Sequence, residues 1–170
     1  MSSITVNDVH YGVLTIDVSA ERGVVEVSGE QVPTVVIRRS PDAEASKYIP
    51  IGTRNATHLS MSVGGVAAEL RPGKGRLTRR SYRIELTVAG TEYKSTPGPD
   101  EDAVLSRDGV KLGSFELDEA DGEFTVHWLT EGDEVQPSDA AIGYALSAAF
   151  RTRTTGIISL LANGSESVPW

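Results

Sequence analysis

Short runs of alternating apolar and polar residues fill most of the chain, and residues that favour turns separate them. Within residues 12–19, for example, Leu14, Ile16 and Val18 alternate with a second set of positions that includes Asp17. A period of two residues is typical of strands that bury one face. Further strands are predicted over residues 23–29, 33–40, 48–53, 57–65 and 122–133, with a weaker candidate over residues 65–73.

Two longer stretches show the same alternation. Residues 76–89 are predicted to form one long strand with Arg79 and Arg83 on its solvent face, about 13 Å apart from the rise of an extended chain. Residues 103–118 are predicted to form a hairpin, because Asp108 and Gly109 form a dipeptide that favours tight two-residue turns.

One segment has a different pattern. From Ala140 to Phe150 only Ser147 is polar, so a helix there would be apolar on all sides. Such a helix is normally buried, and these eleven residues are too few to span a bilayer. We therefore predict a buried helix over residues 139–150, with Ser138 as its N-cap and Asp139 placed favourably for the helix dipole.

These elements predict a mainly β protein. Strands with one apolar face need an apolar partner, and a closed barrel also removes exposed strand edges. We predict a closed antiparallel β-barrel of about 10–12 strands around the buried C-terminal helix. The alternative is an open β-sandwich with the helix packed across one end. We expect a single domain over residues 1–170, with a further strand at 154–162 and a polar tail from about residue 163.

Composition narrows the class of protein. The chain has no cysteine, which excludes disulfides and thiolate chemistry. Its first residues lack the basic start and apolar run of a signal peptide. No apolar stretch approaches the length of a transmembrane helix. We therefore expect a cytoplasmic protein without a transmembrane segment.

Charge is distributed unevenly along the chain. The net charge is −8, yet residues 71–83 carry six cationic side chains and no acidic one. Residues 100–139 carry thirteen acidic side chains against Arg107 and Lys111. An acidic protein is a poor general binder of nucleic acid, because phosphate contacts need an extended positive face.

Residues 71–83, which we call the basic segment, are the candidate binding site. The candidate ligand-binding residues are Lys74, Arg76, Arg79, Arg80 and Arg83. Guanidinium groups bind phosphate or carboxylate through paired hydrogen bonds, so an anionic ligand is a reasonable occupant. The alternative is that these residues pair with the acidic 100–139 segment, either within one molecule or between molecules.

Catalytic and metal-binding patterns are not found in the sequence. His10, His58 and His127 lack the spacing of metal ligands. The chain has no nucleophile elbow and no phosphate-binding loop, and the acidic residues 118–123 lack the spacing of an EF-hand. We therefore expect neither an enzyme nor a protein with a metal or another cofactor.

A family resemblance runs from Tyr82 to Phe150, and four segments carry it in order: RSYRIELTVAG, LSRDGVKLGSF, GEFTVHWLTEGD and PSDAAIGYALSAAF. This succession of strand, charged hairpin, strand and apolar helix resembles the tubby-like superfamily, especially its small LURP-one-related members. The resemblance implies a closed antiparallel barrel around an apolar helix near the C-terminus. It also implies, by analogy, a basic face that can engage phosphorylated membrane lipids.

Two functions are consistent with these observations. The first is a non-catalytic binding module whose basic face takes an anionic ligand or a phospholipid head group. The second is a structural or interaction protein whose basic patch docks an acidic surface of a partner or of another copy in a homo-oligomer.

Overall fold

The computed structural model describes residues 2–76, 78–99, 102–118, 123–129 and 134–151. Within these ranges the chain forms eleven strands, one α-helix and two short 3-10 turns. The strands are β1 (Ser2–Asp8), β2 (Gly12–Ser19), β3 (Val24–Gly29), β4 (Val32–Arg39), β5 (Leu59–Val63), β6 (Val66–Pro72), β7 (Ile84–Val88), β8 (Thr91–Pro97), β9 (Ala103–Arg107), β10 (Val110–Leu117) and β11 (Phe124–Trp128). The helix, α1, spans Pro137–Phe150.

The strands form one sheet in which each strand pairs antiparallel with the next along the chain. The sheet curls into a nearly closed barrel around α1, which confirms the predicted fold class. The first strand, β1, and the last strand, β11, both contact the same residue of α1, Tyr144. The Tyr144 hydroxyl donates to the Asp8 carboxylate at the end of β1 at 2.7 Å, and the centre of the Tyr144 ring lies 5.5 Å from that of Phe124 in β11.

The helix lies within the core. Every residue from Asp139 to Phe150 is buried, as the apolar sequence predicted. Gly143 allows the helix to approach β10 closely, because a Cβ atom at this position would collide with the Phe115 ring. No helix in the described ranges is long and apolar enough to cross a membrane.

The start of α1 corrects the predicted N-cap. The helix begins at Pro137, with Gln136 rather than Ser138 as its N-cap. Proline is well suited to the first helical position because its missing N–H would have no partner there. The Gln136 N–H donates to the Asp139 carboxylate at 2.7 Å, which fixes the first turn.

Some strand predictions were correct and others were not. The hairpin through Asp108 and Gly109 is confirmed, and both residues have the positive φ that this turn requires. Residues 48–53 form turns rather than a strand. Their apolar character arises because Ile51 is fully buried, with its N–H bonded to the Ala149 carbonyl near the end of α1.

Strands β1 and β8 were not predicted. Strand β8 buries only Tyr93 and Ser95, so its sequence lacks an apolar stripe, and it extends into the predicted loop at 95–102. The predicted strand at 154–162 and the polar tail lie outside the described residues.

Candidate anion-binding site

Antiparallel order places the loops after the even-numbered strands at one end of the barrel, and α1 ends there too. The loop between β4 and β5 contacts the last turn of α1, where Arg54 Nη2 donates to the Phe150 carbonyl at 3.2 Å. Arg79, Arg80 and Arg83 lie in the loop between β6 and β7, and Arg151 follows α1. We call this the arginine end of the barrel.

The basic segment does not continue as a strand from residue 76, so the predicted long strand is wrong. Arg79–Tyr82 form a 3-10 turn, and β7 starts only at Ile84. The reason is local hydrogen bonding by Ser81, whose Oγ accepts from the Arg76 N–H at 2.8 Å and donates to the Thr78 carbonyl at 2.6 Å. Serine side chains that bond to nearby backbone compete with the strand ladder.

This turn gathers the arginines instead of spacing them along an extended face. Arg79, Arg80 and Arg83 line a groove of about 440 Å³ together with Lys94 of β8, and Glu85 is the one acidic residue among the described residues of this lining. The Glu85 carboxylate lies 3.8 Å from both Arg83 Nε and Lys94 Nζ. Among the described residues that line it, the groove therefore has four cationic side chains and one carboxylate. We call this the cationic groove.

A second concavity opens beside the first. It has a volume of about 500 Å³ and lies where α1 ends, with Arg54, Arg79 and Arg151 in its lining. Leu146 and Phe150 of α1 add apolar surface. We call this the end cavity. Arg79 lines both concavities, and its guanidinium donates to the Gly98 carbonyl.

Arg54 is partly buried at the end of α1. Loss of solvent lowers the pKa of Arg54 to about 10. That value is still well above neutral pH, so the guanidinium is charged under ordinary conditions. Its Cζ lies 5.0 Å from the centre of the Tyr82 ring and 5.8 Å from that of Phe150.

Three of the five predicted site residues, Arg79, Arg80 and Arg83, thus come together in the cationic groove. Lys74 and Arg76 are exposed on the same loop, and neither is among the described residues that line the groove or the end cavity.

Three further cations of these concavities were not predicted from the sequence: Arg54, Lys94 and Arg151. Lys94 could have been found from strand register, because it pairs directly with Glu85 across β7 and β8. Arg54 and Arg151 lie far from residues 71–83 in sequence and have no local signal.

The ion pairs of residues 71–83 bear on the alternative that these cations pair with the acidic 100–139 segment. Arg71 pairs with Glu69 at 3.2 Å within β6, and Arg83 lies near Glu85 of β7, so each partner is only two residues away along the chain. Asp102, from the acidic 100–139 segment, lines the end cavity beside Arg79. At the arginine end, Glu85 therefore lines the cationic groove and Asp102 lines the end cavity.

Metal-ligating side chains do not cluster in the part of the chain that the structure describes. No group of three or more histidine or acidic side chains there could hold a metal ion. His10, for instance, packs against Trp128 with ring centres 5.7 Å apart.

Comparison of the chain with models of protein families, with curated proteins and with solved structures gave no match. The resemblance to the tubby-like superfamily therefore stays a prediction.

Proposed function

We propose that the protein is a non-catalytic binding module, similar to tubby-like domains, that binds an anionic ligand or phospholipid head group in the cationic groove. The observation that carries this proposal is that four cationic side chains line one groove, against one acidic side chain among the described residues that line it. Phosphate groups are the best match, because guanidinium groups bind them with paired, charge-assisted hydrogen bonds.

Two arginines of the groove are held in place before any ligand arrives. The Arg79 guanidinium donates to the Gly98 carbonyl, and Arg83 Nη1 donates to the Arg80 carbonyl at 3.2 Å. Side chains that are already ordered lose less conformational entropy on binding. The groove is still accessible, since the Arg83 and Lys94 side chains are 40% and 52% exposed.

A second function is favoured by the charge asymmetry of the chain. The acidic 100–139 segment of another copy, or an acidic partner, would also be attracted to the cationic groove. Such docking is expected to produce self-association that weakens as salt screens the charges.

Replacing Arg80 and Arg83 together with serine is expected to reduce binding to vesicles of phosphatidylcholine containing a phosphorylated phosphatidylinositol by about tenfold or more, since each charge-assisted bond contributes about 1.5–3 kcal/mol. The melting temperature should change little, because both side chains reach solvent. Co-sedimentation with vesicles and thermal melting are the measurements.

The matched control replaces Arg22 and Arg38 with serine. Both are exposed and neither is among the described residues that line the groove. This variant has the same net charge and should keep the affinity of the unmodified protein. Equal losses in both variants would mean that net charge alone drives binding and would reject the groove. A lower melting temperature with unchanged vesicle binding would indicate internal counter-charges, and loss of self-association alone would support the second function.

A further inference from the structure

The end cavity has the size and lining of a small-molecule site. Its volume of about 500 Å³ lies within the range of about 300–1,000 Å³ that such sites span. Leu146, Phe150 and Pro97 give it apolar walls, and charged groups are confined to a few positions. This differs from the cationic groove, where cations dominate the lining.

Arg54 supplies a fixed cation in this cavity. Nη1 donates to the Gly73 carbonyl at 3.3 Å and Nη2 to the Phe150 carbonyl at 3.2 Å. A guanidinium has five N–H groups, so these two bonds leave three donors. The contacts of Arg54 within the described residues are carbonyl oxygens and aromatic rings, none of them a carboxylate.

A partly buried cation without a counter-charge is costly, and an anionic ligand would offset that cost. Ser147 gives an independent indication. It lines the cavity from α1, is only 4% exposed, and its Oγ has no hydrogen-bond partner among the residues that the structure describes. Buried hydroxyl groups normally have partners, so a missing one marks a position that a ligand oxygen could satisfy after a small rotation.

We propose that the end cavity is a second site, distinct from the cationic groove, that binds the carboxylate of a small amphipathic molecule. Arg54 and Ser147 hold the carboxylate, and an alkyl or aromatic body lies against Leu146 and Phe150. A single negative charge fits better than a phosphate dianion, because Asp102 also lines the cavity and repels a dianion more strongly.

Decanoate is a suitable probe, with decanol as its uncharged counterpart. Titration of the full chain, followed by calorimetry and by amide chemical shifts, should show decanoate binding at least about tenfold more tightly than decanol. The shifts should include residues 146–150. Equal affinity for the two probes, or no binding of decanoate to the folded chain, would overturn the proposal.

Variants separate this site from the groove. Arg54→Met, which keeps the apolar stem, is expected to reduce decanoate affinity about tenfold or more, and Ser147→Ala by about threefold to tenfold. Ser147→Ala removes no hydrogen bond to the backbone within the described residues, so this variant still tests the site if Arg54→Met does not fold. Replacing Arg80 and Arg83 with serine should leave decanoate binding unchanged. If replacing Arg80 and Arg83 lowers the affinity for decanoate and Ser147→Ala does not, this inference is wrong while the proposed function stands.

Discussion

Replacing Ile142 with aspartate is expected to prevent the chain from folding. Ile142 lies in the middle of α1 with no exposed surface, enclosed by the barrel. Moving an unpaired carboxylate from water into an apolar core costs several kcal/mol or more. That cost approaches the whole stability of a typical domain, about 5–15 kcal/mol. Far-UV circular dichroism and the dispersion of amide resonances report whether the fold forms.

The matched control is Ile142→Val, which removes one methylene from the same site. It should fold and lose only about 1 kcal/mol of unfolding free energy. A soluble Ile142→Asp protein that melts cooperatively near the temperature of the unmodified chain would contradict the enclosure of α1.

The second large effect is expected at Asp139, which is fully buried at the start of α1. Its carboxylate accepts hydrogen bonds from the Tyr93 hydroxyl at 2.6 Å and from the Gln136 N–H at 2.7 Å, and it pairs with Arg107. Asparagine keeps the shape but removes the charge and leaves Arg107 mostly buried without its partner. We expect Asp139→Asn to lower the unfolding free energy by about 3 kcal/mol, measured by urea denaturation.

An exposed ion pair provides the comparison for Asp139. Glu69 is largely exposed where it meets Arg71, and Glu69→Gln should cost less than about 1 kcal/mol. Adding Arg107→Met to Asp139→Asn should restore part of the lost stability, because the unpaired charge is then gone. Equal stability of Asp139→Asn and the unmodified chain would show that the buried pair does not anchor α1.

The fold could be predicted largely from patterning. The run from Ala140 to Phe150 is apolar on every face, and such a helix requires an enclosing sheet. Residues 103–118 carried both alternation and a turn dipeptide. The predictions failed where local bonds or burial overrode the pattern: Ser81 bonds to nearby backbone and ends the extended chain, and Ile51 is apolar because it covers the end of α1.

The site could be predicted only in part. The cluster of Arg79, Arg80 and Arg83 is visible in the sequence because those residues are neighbours along the chain. Lys94 joins them through strand register, and Arg54 joins the end cavity through a long loop that returns to α1. The periodicity of a sequence predicts individual strands and helices. Both of these contacts depend instead on which strands and loops meet at the arginine end, which periodicity does not predict.

The most direct test of anion binding by the cationic groove is an amide chemical-shift titration of the full chain with inositol hexakisphosphate at low salt. If the groove binds the anion, the largest shifts should lie in residues 79–85 and 94–97, and they should diminish as added salt screens the contacts. Shifts centred elsewhere on the barrel, or none at all, would contradict it.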